Sequence, residues 1–170
     1  MGRKCSFLGH PLFHRQPGSR IAIGANCVFN SSPGSNLIGV NHPCMISTLQ
    51  EAAEISIGDG CGFSGTMIAC AQKVTLGKNV RCGSNTMIMD TDWHWNDPRV
   101  EANAPVAIGD NVWLSVNVTV LKGVTIGEGT LVGAGSMVTK SLPAHVIAAG
   151  VPARVLRTLD GDGRSKENKL

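Results

Sequence analysis

From Ile108 onward the chain places an apolar residue at every sixth position: Ile108, Leu114, Val120, Ile126, Val132 and Val138. Two positions before each of these stand Val106, Val112, Val118, Val124, Thr130 and Ser136, all small or β-branched. On an α-helix a step of six turns the side chain by roughly 240°, so such a stripe would wander around the axis. On a strand, residues i−2 and i point to the same face, so each hexad sends two side chains inward and then turns a corner. Glycine follows the inward residue in "AIGDNV", "TIGEGT" and "LVGAGS", where a sharp corner needs permissive backbone.

The same grammar appears earlier in "IAIGANC", "ISIGDGC" and "VTLGKNV". It predicts the inward pairs Ile21 and Ile23, Cys27 and Phe29, Ile55 and Ile57, Cys61 and Phe63, Met67 and Ala69, Val74 and Leu76, Val80 and Cys82, and Thr86 and Ile88. The register slips by one residue between Ala69 and Leu76, which reads as a larger corner. Hexads of this kind close into a parallel solenoid, three to a triangular coil, with coils stacked about 4.8 Å apart.

Length and composition fit a narrow prism. The 170 residues make one domain, with 21 glycines, 4% aromatics and no tyrosine. The net charge of +3 is too weak and scattered for a nucleic-acid footprint, though it suits a phosphate-bearing small molecule. No apolar run approaches a membrane span, and "MGRKCSFLGHPLFHR" lacks the apolar core of a signal peptide, so the expected location is cytoplasmic. The cysteines (Cys5, Cys27, Cys44, Cys61, Cys70 and Cys82) contain no CxxC pair and read as small apolar fillers rather than a disulfide or zinc framework.

Between Ile88 and Val106 the hexad grammar fails, and the failure begins with "MIMDTDWHWNDPR". An insertion is expelled from a stack as a loop, and such loops commonly carry function. Asp90, Asp92 and His94 alternate, so on extended chain all three face one way, opposite Thr91, Trp93 and Trp95. A carboxylate two residues away would orient the imidazole and stabilise its protonated form. Packing of a lone histidine between tryptophans is the alternative.

From about residue 20 to 158 the repeats resemble the hexapeptide-repeat acyltransferases, and within them the bacterial sugar and polysaccharide O-acetyltransferases. The resemblance implies an all-β fold: a left-handed parallel β-helix with one inserted loop over about 89–105 and a short C-terminal helix. That single domain spans 1–159, its helix is expected over "VPARVLRTL" at about 152–159, and a flexible tail covers 160–170. "DTDWH" is similar to the family's D-x-D-x-H signature, which makes His94 the general base, with Asp92 or Asp90 holding its ring and Trp93 and Trp95 shaping an acceptor cleft.

"IGDNVWLSVNV" resembles the segment whose tryptophan lies beside acetyl-CoA, which makes Trp113 a donor-site residue, with Ser115 where the family usually has glycine. Packing on a neighbouring subunit is the other reading of Trp113. "VGAGSMVTKSLPAHVIAAGVPARVLRTL" resembles the final coil and helix, and implies that Ala134, Thr139 and Lys140 line the coenzyme channel and that Arg154 meets its phosphates. Ser64 in "CGFSGTMIA" falls near a polar acceptor-binding residue of related enzymes. The implied activity is direct acetyl transfer from acetyl-CoA to a sugar or saccharide hydroxyl in a homotrimer, with no metal.

Acceptor identity stays open between a sugar hydroxyl, an amino group on a nucleotide sugar and the hydroxyl of serine. Two rival functions use the same coil. One is a gamma-class carbonic anhydrase, which needs several zinc-ligating histidines where the central insertion here has only His94. The other is a non-catalytic trimeric scaffold, against which the pairing of "DTDWH" with the Trp113 segment speaks.

Overall fold

The computed structural model describes residues 1–94 and 96–159. Its strands form three sheets of eight, six and five strands, the sides of a triangular prism. The chain visits them in rotation. The first coil is β1 (Ser6–Gly9), β2 (Leu12–His14) and β3 (Arg20–Ile23); the second is β4 (Val28–Ser31), β5 (Met45–Thr48) and β6 (Glu54–Ile57). Next come β7 (Gly62–Ser64), β8 (Met67–Cys70) and β9 (Lys73–Leu76), then β10 (Arg81–Cys82), β11 (Met87–Met89) and β12 (Val106–Ile108). The last coils are β13 (Trp113–Leu114), β14 (Thr119–Val120) and β15 (Thr125–Ile126), then β16 (Leu131–Val132) and β17 (Met137–Val138), closed by a bridge from Leu142 to Ile126. Every neighbouring pair in these coils is parallel, as in Arg81 against Gly62 below and Trp113 above.

The inward residues are those the hexads predict, with one correction. Ile108, Leu114, Val120, Ile126, Val132 and Val138 are all buried. Met67, however, is only half-buried, while Thr66, Ile68 and Cys70 are fully buried. The short corner therefore falls before β8, at Ser64 and Gly65, and not after Ala69 alone. Gly65 has φ +51, a conformation open to glycine and costly for most side chains, which lets the chain turn one residue early.

Corner backbone explains much of the glycine and asparagine content. At the corner entering the eight-stranded sheet, Asn26, Gly60, Asn79, Asn111 and Gly129 all have φ between 56 and 72 and stack over one another. Asparagine tolerates this left-handed region better than other side chains, and Asn79 Nδ2 donates to Asn111 Oδ1 at 3.2 Å. Inside, Phe29 stacks between Phe7 and Phe63, with ring centroids 5.2 and 4.9 Å away. Five cysteines are buried and Cys5 is partly buried; all six are free, as small apolar fillers require.

Three features depart from the repeat reading. The stack begins at Ser6, two strands before the first recognisable hexad, because β1 and β2 are exposed and are not held to the inward pattern. A second excursion leaves the prism between β4 and β5, carrying a 3-10 turn over Pro33–Ser35 and the exposed Leu37 and Ile38.

The helix expected over 152–159 is instead a strand, β19 (Ala153–Thr158), antiparallel to β18 (Val146–Gly150). β18 extends the eight-stranded sheet above β16, and its free edge offers unpaired backbone groups that a returning strand satisfies. Among the described residues no helix is long and apolar enough to cross a membrane.

Candidate functional site

The insertion leaves β11 at the corner between the six-stranded and five-stranded sheets and returns at β12. Its first residue is a fold anchor. Asp90 is fully buried, and its carboxylate accepts the backbone N–H groups of Ala71 (2.6 Å), Gln72 (2.8 Å) and Lys73 (2.6 Å). The Cys70 thiol also donates to it, at 3.5 Å. These donors belong to the corner of the coil below, so Asp90 caps that corner and does not hold His94.

Asp92 is also engaged elsewhere, its Oδ2 lying 2.7 Å from Lys122 Nζ. The extended alternation expected of Asp90, Asp92 and His94 is broken at Trp93, which has φ +68. The His94 N–H donates to the Asp92 carbonyl at 2.8 Å, closing a tight turn, while the Trp93 N–H reaches Thr91 Oγ1 at 3.1 Å. A bulky residue at positive φ is strained, and such strain collects at functional sites. The turn pushes His94 and Trp93 outward, where with Asn96, Asp97 and Pro98 they line a depression of about 470 Å³. Arg99 donates to Asp97 and holds its exposed carboxyl below the usual range. Among the described residues the His94 ring has no hydrogen-bond partner. Trp95 lies outside the described residues.

A second pocket, of about 420 Å³, runs along the opposite edge of the six-stranded sheet. Trp113 projects from the outer face of β13, half-exposed, and with Ser115, Val116 and Ala134 meets Asn36 and Ile38 from the 32–44 excursion. Ser84 also lines it, and its Oγ is buried without a partner among the described residues. Apolar walls with a few scattered hydroxyls and amides suit a pantetheine arm, whose methylenes alternate with amide groups.

The other predicted donor-site residues do not gather there. Thr139 and Lys140 are exposed just after β17, on the same sheet corner that carries the insertion. Arg154 is exposed on the capping strand, its guanidinium donating to the Ala153 carbonyl at 3.0 Å. Ser64 is 5% exposed, and its Oγ accepts from Asn30 Nδ2 and Asn36 Nδ2, each at 3.1 Å. It pins the 32–44 excursion to the prism and offers little surface to an acceptor. Among the described residues, no three His, Cys, Asp or Glu side chains converge as a metal site would need.

Comparison with known proteins agrees with the coil architecture. Residues 105–140 match the model for the bacterial transferase hexapeptide (six repeats). A putative lipopolysaccharide biosynthesis O-acetyl transferase of Escherichia coli, WbbJ, is 32% identical over 168 residues, 91% of this chain and 80% of that protein. The chain belongs to the bacterial hexapeptide-repeat transferases.

Its architecture is a left-handed parallel β-helix, and two solved acetyltransferase structures resemble it. One is a galactoside acetyltransferase in complex with coenzyme A, 31% identical with a TM-score of 0.55, covering 81% of this chain and 64% of that one. The other is the hexapeptide-repeat acetyltransferase VCA0836 of Vibrio cholerae, 25% identical with a TM-score of 0.57, covering 93% and 72%. The chain spans about half the length of several other curated relatives that it matches.

One residue packed against the insertion escaped the sequence reading. Lys122 is a single cation at a corner, and in sequence nothing separates it from the solvated lysines around it. In the fold its side chain is only 14% exposed.

Proposed function

We propose that the protein transfers an acetyl group from acetyl-CoA to a hydroxyl of a saccharide, with His94 as general base, in a homotrimer. The observation that carries this reading is the placement of His94. It stands exposed at the mouth of a depression, on a strained turn anchored to the prism by Asp92 and Lys122. The Trp113 and Ala134 pocket fits the arm of the acyl donor but lies on the other edge of the six-stranded sheet. One chain thus carries half of a site on each edge, and a threefold assembly brings the insertion of one subunit against the Trp113 edge of the next.

Acetyl-CoA supplies the acyl group as an activated thioester. A sugar hydroxyl is too weak an acid to attack it unaided, so the neutral imidazole removes the hydroxyl proton as attack proceeds. The imidazolium then returns that proton to the departing sulfur. Backbone N–H groups hold the developing oxyanion, and Trp93 offers the acceptor ring an aromatic wall. Lys140 and Arg154 supply charge for the phosphates of the donor.

The test is His94→Ala, assayed for acetyl transfer to the best acceptor found by screening, with mass analysis of the product. Turnover should fall by roughly 10²–10⁴-fold, the usual contribution of a positioned base, while acetyl-CoA still raises the melting temperature. Near wild-type turnover in this variant places the base elsewhere, and acetylation of an amine identifies an N-acetyltransferase. A monomer in sedimentation at micromolar concentration removes the shared site.

A further inference from the structure

Lys122 is placed unlike the other surface cations among the described residues. Its ammonium lies 2.7 Å from Asp92 Oδ2 and donates to the carbonyl of Glu101 at 2.7 Å. Asp92 belongs to the outgoing limb of the insertion and Glu101 to the returning limb, so one ammonium joins both. Close by, the Ala104 N–H donates to the Asp90 carbonyl at 3.0 Å, and the Gly123 N–H donates to the Ala104 carbonyl at 2.9 Å. Lys122 and Gly123 therefore sew the root of the loop to the coil above it.

From Lys122 the restraint passes to His94 in two contacts. The ammonium fixes the Asp92 carboxylate, and the Asp92 carbonyl accepts the N–H of His94 across the Trp93 turn. We infer that Lys122 is a positioning residue for His94: it clamps both limbs of the insertion and, through Asp92, sets the backbone turn that presents the imidazole. Asp92 then acts on His94 through the main chain and not through the ring. This inference rests on the reading of His94 as the base.

The energetics fit a clamp. A lysine with so little exposure has lost much of its hydration and must be paired to be tolerated. Removing Asp92 alone strands that cation, whereas removing both partners leaves neither charge unpaired. Misplacing a catalytic group by about 1 Å costs on the order of a hundredfold in rate, which sets the scale of the effect on turnover.

Lys122→Met, Lys122→Arg, Asp92→Asn and the Lys122→Met/Asp92→Asn double variant test this, with folding checked by circular dichroism. Hydrogen exchange is read on peptides covering residues 91–104, and turnover is read beside the dissociation constant for acetyl-CoA. Lys122→Met should speed exchange in those peptides at least tenfold and lower kcat by about tenfold to a hundredfold. Acetyl-CoA affinity should stay within twofold. Lys122→Arg should recover most of the rate, and the double variant should be no slower than the worse single one.

Unchanged exchange in Lys122→Met, or kcat within twofold of wild type, overturns the inference even where His94→Ala is inactive. An active His94→Ala overturns the reading beneath it, whatever Lys122 does to exchange. Should Lys122→Met lose its fold, the exchange and kcat of Asp92→Asn decide by the same thresholds.

Discussion

Replacing Asp90 with alanine separates a fold anchor from a catalytic partner. The substitution strands three backbone N–H donors, those of Ala71, Gln72 and Lys73. Ala71 is 4% exposed, so its donor bears the full cost of an unmet hydrogen bond, about 1–3 kcal/mol. Gln72 and Lys73 are exposed and their donors find water, so each loses only the net worth of its bond, about 0.5–1.5 kcal/mol. Together the loss is about 2–6 kcal/mol, a large part of the about 5–15 kcal/mol that holds a typical domain.

In a chain of this size that corresponds to a melting temperature lower by about 5–20 °C. Asp90→Asn should destabilise nearly as much, because its amide NH₂ turns a donor toward donors. Urea unfolding followed by circular dichroism gives the midpoint and slope, and a lower midpoint at constant slope is a change of stability. Acetyl transfer per folded molecule should stay within a few-fold of wild type. A variant with an unchanged midpoint and turnover down a hundredfold would refute the argument and return Asp90 to the side of His94.

Two further outcomes test the core. Phe29→Ala removes a fully buried ring from between Phe7 and Phe63 and should cost about 3–5 kcal/mol in urea unfolding, a loss under 1 kcal/mol counting against the aromatic column. Burial pushes the thiols of Cys61 and Cys70 up to about 12, with the Asp90 charge adding to the shift at Cys70. In the unfolded chain these thiols ionise near pH about 8.5, so above that the native state holds more protons than the unfolded state. Their contribution is therefore complete below about pH 8.5 and lost as pH rises toward about 12. The urea midpoint should fall between pH 8 and pH 10, and fall less in Cys61→Ala, whereas equal falls in both proteins contradict the assignment.

The coil architecture could be read from the sequence because its determinants are local. Most corners use a left-handed glycine or asparagine and each short strand sends small or apolar side chains inward, so the fold is written as a six-residue period that no helix can share. The insertion was visible for the same reason, as a break in that period. The first two strands, Ser6–Gly9 and Leu12–His14, were harder to see, because strands with one exposed edge need not follow the inward rule.

Elsewhere the tertiary contacts decided. "VPARVLRTL" carries a proline-led apolar pattern that would serve a helix, but the open edge of β18 captures it as a strand. Asp90 and Asp92 look equivalent two residues apart from one another. Only the stacking of coils hands Asp90 to the Ala71–Lys73 corner, some 17–19 residues back in the chain, and Asp92 to Lys122, ahead of it. Lys122 shows the same limit, since a lysine at a corner becomes a clamp only when the loop of the coil below folds over it. Alternation along a strand says which side a residue faces if the chain stays extended, and at Trp93 the chain turns instead.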